Sequence, residues 1–206
     1  MKLLKEGCLD IFDEFSCDTA NEFCSREIAN PFESDRNPYD VSKACQGSIE
    51  DMLCYPVTKH ISSYLSRPEV KQTLGVDPSI TRNFTSCNGD VSMRFGLSRD
   101  GVRETYLWVG ALLERSIKVL VYVGVNDWIC NWVGNERWML NLEWSGKANF
   151  TAQPLREWVV NGKRVGKTRK AGPLTFATVD GAGHVVKLFA SSSQELGLTM
   201  PHRYLM

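Results

Sequence analysis

The fold of this chain is decided by the stretch Val123-Gly124-Val125-Asn126-Asp127-Trp128-Ile129-Cys130-Asn131-Trp132-Val133-Gly134. Just before it, Ile117-Lys118-Val119-Leu120-Val121-Tyr122 is a β-branched, nearly charge-free run of strand length. The sequence therefore predicts a buried strand that ends in a glycine turn, followed by an acid and a Trp-rich helix over 131–142. In open α/β sheets, ligand chemistry collects in the loops beyond the carboxyl ends of strands. Asp127 is thus a candidate site residue, and its role depends on which second titratable side chain lies beside it.

A second strand-and-turn unit later in the chain supplies such a side chain. Leu174–Val179 alternates as a strand does, and Asp180-Gly181-Ala182-Gly183-His184 follows it. An acid and then a histidine, each after a late strand, is the chain order of the acid and base in α/β-hydrolases, where the serine precedes both. We therefore predict that Asp127 fixes the tautomer of His184, and that His184 takes the proton of a serine hydroxyl.

Composition excludes several classes of function. Lys+Arg and Asp+Glu are equal in number, at 24 each, so the chain has no basic footprint for nucleic acid. No apolar run approaches the length of a membrane span. No Cys-x-x-Cys pair occurs, which weighs against zinc. The sequence predicts no nucleic-acid or membrane partner, no metal site and no cofactor.

Cysteines and sequons indicate an oxidising compartment. Six of the seven cysteines lie in the first 87 residues, in polar, turn-rich surroundings, which favours disulfides. Asn83-Phe84-Thr85 and Asn149-Phe150-Thr151 are candidate glycosylation sites. The first eight residues lack the apolar region of a signal peptide. A chain of secreted character without such a signal predicts that an upstream segment is missing.

The remaining chain separates into a cysteine-rich part and a core. Residues 1–55 are predicted to be a loop-and-short-helix insertion stapled by disulfides, and 56–206 to be the core. The core is predicted to contain two short helices over 58–74 divided at Pro68, a polar connection over 82–90, a helix over 103–113, a strand over 155–160, a turn at Asn161-Gly162, and a basic, solvated edge strand over 163–170.

Over residues 8–186 the sequence resembles the serine carboxypeptidase family. Val121–Trp132 resembles the family segment around its catalytic aspartate, and Gly181–His184 resembles the segment that ends in its catalytic histidine. Four further matches resemble the region between the family's cap and its hydrolase core: Asn37-Pro38-Tyr39-Asp40-Val41, Cys54-Tyr55-Pro56, Tyr64-Leu65 and Pro68-Glu69-Val70.

The resemblance implies a fold and an activity. It implies the C-terminal part of an α/β-hydrolase sheet with a mainly helical and loop cap remnant, and removal of C-terminal residues from peptides by a Ser-Asp-His triad. Asp127 and His184 take the last two roles, while Ile129 and Cys130 match positions that line the pocket for the residue before the scissile bond. It also implies vacuolar, lysosomal or secreted relatives. The disulfides that it implies are Cys8–Cys17 and Cys45–Cys54, with the partners of Cys24 and Cys87 lying upstream.

Departures from the family pattern bear on the function. No Gly-x-Ser-x-Gly occurs, and the nearest run, Gly96–Gly101, has the wrong spacing. After Val186 the match stops, so the tail is divergent. The isolated chain is therefore expected to lack the nucleophile and the oxyanion hole, and to need an N-terminal companion chain or upstream half.

Other interpretations remain open. The chain is alternatively an inactive truncated form or pseudoenzyme that acts as a binding module, or an acyltransferase on the same scaffold, because triad residues do not choose the acceptor. Asp127 is alternatively a helix cap, His184 a surface-loop histidine and Cys130 a small buried hydrophobic residue. His60 and His202 are interpreted as structural or solvated.

Overall fold

The computed structural model describes residues 7–8, 11, 13–29, 36–47 and 54–186, which divide into two compact units. Unit 1 holds the described residues up to Asn37 together with Lys43–Arg103. Unit 2 holds Pro38–Ser42 and the described residues from Glu104 onwards. The tail after Val186, which the sequence predicts to be divergent, and His202 lie outside the described residues. The domain boundary at residue 55 stays a prediction.

Unit 1 is helical and disulfide-bonded. Asp13 caps its first helix by accepting a hydrogen bond from the Ser16 amide at 2.8 Å, and hydrogen bonds from the Ser16 side chain and then from this amide lower the pKa of the Asp13 carboxyl. The unit contains the disulfides Cys8–Cys17 and Cys45–Cys54, the same pairs that the resemblance implies. Its helical elements are α1 (Glu14–Cys24), a π-helical turn (Ser25–Ala29), α2 (Thr58–Leu65), α3 (Pro68–Thr73), α4 (Gly89–Ser98) and a 3₁₀ turn (Asp100–Val102).

The two short helices predicted around Pro68 are confirmed. Pro68 is the first residue of α3, and Gly75 follows that helix with a φ of +68°. Helix α4 was not predicted, because its sequence has no sustained apolar period and its cap lies within the stretch interpreted as a polar connection. Asn88 supplies that cap and accepts a hydrogen bond from the Val91 amide at 3.2 Å.

Unit 2 is built around one four-stranded sheet in the order β1-β4-β3-β2. Strands β1 and β4 are parallel, and the β4–β3 and β3–β2 pairs are antiparallel. The elements are α5 (Tyr106–Glu114), β1 (Val119–Gly124), α6 (Trp132–Asn141), α7 (Lys147–Ala152), β2 (Arg156–Val160), β3 (Lys163–Ala171) and β4 (Leu174–Val179). The predicted helix over 103–113, the Trp-rich helix and the strands around Val121, Trp158 and Phe176 are confirmed, with ends that differ by a few residues.

The basic strand β3 was predicted to be a solvated edge, and that prediction is wrong. β3 lies between β2 and β4. Both of its arginines pair with acids: Arg169, only 10% exposed, pairs with Glu136 at 2.9 Å, and Arg164 pairs with Asp180 at 3.1 Å. Paired charges can occupy an interior strand where isolated ones would be costly, and the sequence pattern does not reveal the pairing.

The core of unit 2 covers one face of β1. Val119, Val121 and Val123 point towards the core, and Leu120 and Tyr122 point to the opposite face, as the two-residue repeat of a strand requires. Leu120 and Tyr122 are each 44% exposed. The buried members of the core are Leu113, Val123, Met139, Leu142, Phe150, Leu174 and Phe176.

Candidate active site

Two loops meet at the carboxyl ends of β1 and β4. The acid loop (Val125–Asn131) follows β1, and the base loop (Asp180–His184) follows β4. Because the strands are parallel and adjacent, with Gly124 opposite Val179, the loops leave the sheet side by side. The Asn126 amide donates to the Ala182 carbonyl at 2.9 Å and joins them directly.

Asp127 and His184 form a hydrogen-bonded pair. Nδ1 of His184 lies 2.9 Å from Oδ2 of Asp127, and the Cys130 amide donates to Oδ1 of Asp127 at 3.0 Å. A carboxylate only accepts, so Nδ1 is the protonated ring nitrogen in this pair. The Asp127 side chain is 4% exposed, whereas that of His184 is 39% exposed. The arrangement can hold an imidazole in one tautomer while the His184 side chain remains partly exposed to solvent.

Gly124 permits the close approach of the loops. A Cβ at this position would lie 2.3 Å from the carbonyl oxygens of both Ala182 and Gly183. Both obstacles are backbone atoms, which cannot rotate away as a side chain can. The glycine turn after β1 is therefore required for the Asp127–His184 contact and does more than reverse the chain.

A short segment from earlier in the chain, Pro38–Ser42, also contacts both loops. The Tyr39 carbonyl accepts from the His184 amide at 2.7 Å, and the Tyr39 and His184 ring centroids lie 5.4 Å apart. The sequence interpretation placed this segment in a connecting region and gave it no role in the site. A single sequence carries no signal for a contact between residues so far apart along the chain.

An open cleft of about 380 Å³ lies beside the pair. Cys130 lines it, as does Asn135, whose side-chain amide donates to the Cys130 carbonyl at 3.0 Å. Partial burial and the negative charge of Asp127 raise the pKa of the Cys130 thiol, which favours its protonated form. Ile129, the other predicted pocket residue, is exposed and does not line this cleft.

Comparison with known protein families matches residues 2–200 to the serine carboxypeptidases, beyond Val186, where the resemblance was expected to stop. The chain belongs to the serine carboxypeptidase family. It is 35% identical to carboxypeptidase Y of Candida albicans over 98% of its own length and 36% of that protein. It is 33% identical to a vacuolar serine-type carboxypeptidase of Saccharomyces cerevisiae, over 89% of this chain and 36% of the relative.

The fold agrees with that of the family. A prohormone-processing carboxypeptidase from Saccharomyces cerevisiae superimposes with a TM-score of 0.65 at 21% identity, covering 91% of this chain and 42% of that one. The expected fold class, part of an α/β-hydrolase with a disulfide-bonded helical region, is confirmed. The chain spans about a third of the length of the curated carboxypeptidases that it matches.

Asp127, Cys130 and His184 are also the residues that could hold a metal ion. One ligand atom from each lies within 4.8 Å of the others, and oxygen, sulfur and nitrogen donors together suit zinc. Two features favour proton transfer over metal binding in this carboxypeptidase relative. Burial and the charge of Asp127 raise the pKa of the Cys130 thiol, whereas a metal ligand has to be a thiolate, and Asp127 already shares a hydrogen bond with His184.

The remaining predicted sites lie on the surface. Asn83 and Asn149, the two sequon asparagines, are exposed, and Asn149 belongs to α7. Cys24, Cys87 and Cys130 are free thiols. Among the described residues, no helix has the length and apolar character needed to cross a membrane.

Proposed function

We propose that this chain supplies the orienting acid, Asp127, and the general base, His184, of a serine-type carboxypeptidase. The observation that carries the proposal is the 2.9 Å contact between Nδ1 and Oδ2 at the ends of adjacent parallel strands. In a member of the serine carboxypeptidase family, that geometry is what a Ser-His-Asp mechanism needs from its last two members. The nucleophilic serine is proposed to come from an N-terminal companion chain or upstream half.

The chemistry follows from how the pair is held. Asp127 accepts the Nδ1 proton of His184, which leaves Nε2 as the nitrogen that takes the serine proton. The serine oxygen then attacks the terminal peptide carbonyl, and the imidazolium returns the proton to the leaving amine. Water repeats the sequence on the acyl-enzyme and releases the shortened peptide. The buried carboxylate stabilises the imidazolium in both halves of the reaction.

Substrate recognition is proposed at the cleft beside the pair. Cys130 offers a small, soft surface there, and Ile129 is exposed on the same loop outside the cleft, where a bound peptide that extends beyond the cleft could reach it. These two residues are proposed to contact the side chain before the scissile bond. The proposed compartment is vacuolar or secreted, supported by the disulfides, by the exposed sequons and by a vacuolar relative.

A chimera tests the catalytic assignment. The matched third of Candida albicans carboxypeptidase Y is replaced by this chain, and release of the C-terminal residue from a peptide is measured. We expect activity in the chimera, a loss of about 10⁶-fold in kcat for His184→Ala and a loss of about 10⁴-fold for Asp127→Asn. Asn keeps the shape of the acid but stabilises the wrong imidazole tautomer.

The control is His60→Ala, which removes an exposed histidine of α2 and should leave kcat unchanged. A fluorophosphonate probe, which labels an activated serine, should react with the chimera and not with the isolated chain. Retention of full activity in the His184→Ala chimera, or labelling of the isolated chain, would contradict the proposal.

A further inference from the structure

We propose that Tyr39 is a positioning residue for His184, and that Pro38–Ser42 is a clip that holds the acid loop and the base loop together. This inference deepens the proposed function and rests on it, because it concerns how the base is held. It gives a role to a motif, Asn37–Val41, that the catalytic assignment leaves unused.

The ring contact supplies what the Asp127 hydrogen bond lacks. One hydrogen bond fixes the position of Nδ1 but leaves the imidazole able to swing about that point. The Tyr39 ring, half-buried itself, lies against the imidazole with centroids 5.4 Å apart and planes inclined by 58°. This tilted arrangement is a favourable one for two aromatic rings. Asp127 and Tyr39 together therefore restrain both the position and the plane of the His184 ring.

Backbone hydrogen bonds tie the clip to both loops. On the base side, the Tyr39 carbonyl accepts from the His184 amide at 2.7 Å. On the acid side, the Pro38 carbonyl accepts from the amides of Trp128 and Ile129, each at 3.2 Å, and the Val41 amide donates to the Asn126 carbonyl at 2.9 Å. Pro38 and Val41 bind the acid loop, and Tyr39, which lies between them, binds the base loop. A shift of either loop therefore strains the clip.

The clip is itself stiff and closely fitted. Asp40 is fully buried, and its Oδ1 accepts from the Ser42 amide at 3.2 Å and from the Ser42 hydroxyl at 2.5 Å, which closes a tight turn. A Cβ on Gly183 would lie 2.2 Å from the Tyr39 carbonyl oxygen. Gly183, the residue before His184, is thus required for Tyr39 to approach the base loop this closely. The close fit shows that the clip is not a loosely packed loop.

The test follows the imidazole tautomer of this chain by NMR, with Leu120→Lys present in every sample to limit association through the exposed face of β1. Three histidines give few signals, and exposed His60 is an internal reference. The ¹⁵N shifts of the ring nitrogens, read through the carbon-bound ring protons at a pH where imidazole is neutral, report which nitrogen is protonated. We expect a single Nδ1–H form of His184 in the wild type and in Tyr39→Phe, which keeps the ring. Tyr39→Leu should give a mixture approaching that of His60.

Controls separate positioning from folding. Tyr64→Leu removes an exposed tyrosine of α2 and should leave the His184 shifts unchanged. Circular dichroism checks that Tyr39→Leu folds. If it does not, Tyr39→Met replaces it, because the longer and more flexible methionine side chain adapts to the space without a ring.

The outcomes distinguish this inference from the function on which it rests. A wild-type chain without a dominant Nδ1–H form of His184 would overturn the acid–base pair and the inference with it. A wild-type Nδ1–H form that persists unchanged in folded Tyr39→Leu and Tyr39→Met would overturn the role of Tyr39 alone. In that case its contact only adds stability.

Discussion

Asp127 uses both of its carboxylate oxygens within the protein. Oδ2 meets the His184 ring, and Oδ1 accepts the amide proton of Cys130 from the same loop. A carboxylate held at both oxygens cannot rotate to offer a different lone pair. The second bond also brings the carboxylate close to the Cys130 thiol, and their proximity has an electrostatic consequence.

The Cys130 thiol should respond to the charge of Asp127. Its pKa is raised first by burial and then by the negative charge of Asp127, since a nearby anion disfavours the thiolate. Asp127→Asn removes that charge and should lower the pKa of the thiol while the effect of burial remains. At pH 8 the thiolate fraction then increases, and alkylation of Cys130 by iodoacetamide should be faster than in the wild type. Peptide mapping by mass spectrometry measures the rate at each cysteine.

Two references make this measurement specific. Exposed Cys87 in the same molecule should alkylate at an unchanged rate. Glu157→Gln removes a charge from β2, the strand farthest from β1 in the sheet order, and should leave Cys130 unaffected. Slower or equal alkylation of Cys130 in Asp127→Asn would mean that the carboxylate does not act on the thiol.

Asp127 and His184 were predictable from sequence, and Tyr39 was not. Each of the first two follows a strand and a glycine turn, so a local pattern together with the chain order of hydrolase residues predicts them as a pair, and the structure brings the two side chains into contact. Tyr39 reaches His184 through a contact between distant parts of the chain. Only the fold brings the clip to the base loop, and no local pattern encodes that encounter.

At the scale of elements, the junction of β1 and its loop depends on Gly124. Gly124→Ala would place a Cβ against two carbonyl oxygens of the base loop, so the loop has to move or the strand has to shift. Overpacking of this kind typically costs about 1–3 kcal/mol. We expect a loss of that size in the free energy of unfolding in urea. Tryptophan fluorescence reports on this unit because all six tryptophans lie at or beyond residue 108.

The matched control is Gly134→Ala in helix α6 of the same unit. A Cβ there meets its nearest atom, Oδ1 of Asn131, at 3.4 Å, an ordinary contact. Alanine also favours a helix over glycine by up to about 1 kcal/mol. This variant should be as stable as the wild type or more so. Equal stability of Gly124→Ala and the wild type would show that the two loops are not packed as closely as the Gly124 geometry requires.

Most elements of unit 2 were predictable because their patterns are local. Strand β4 was predicted with its observed bounds, and the Asn161-Gly162 turn has positive φ at both residues, as a tight hairpin requires. The place of β3 in the sheet was not predictable. Its basic sequence is typical of a solvated edge, and its interior position depends on acids such as Glu136 that come from another element.

At the scale of the whole molecule, one face of β1 has no apolar cover among the described residues. Leu120 and Tyr122 are each 44% exposed, and β4 is the one described strand that pairs with β1. A parallel strand is ordinarily covered on both faces. An exposed apolar strand beside an open edge is a predicted site of self-association. We therefore expect the isolated chain to bind a hydrophobic-surface dye and to associate at micromolar concentration.

Neighbouring residues on opposite faces of β1 make that expectation testable. Leu120→Lys places a charge on the exposed face and should reduce association and dye binding, with a change in unfolding free energy within about 0.5 kcal/mol. Val121→Lys places the same charge against the core, where Val121 is partly buried, and should strongly destabilise the unit, because a cation without a partner is costly there. Sedimentation velocity and dye fluorescence measure the first effect, and circular dichroism measures the second.

A wild-type chain that sediments as a monomer without binding dye would show that the Leu120 face is covered in solution. An equal response to both substitutions would mean that the faces of β1 are assigned incorrectly.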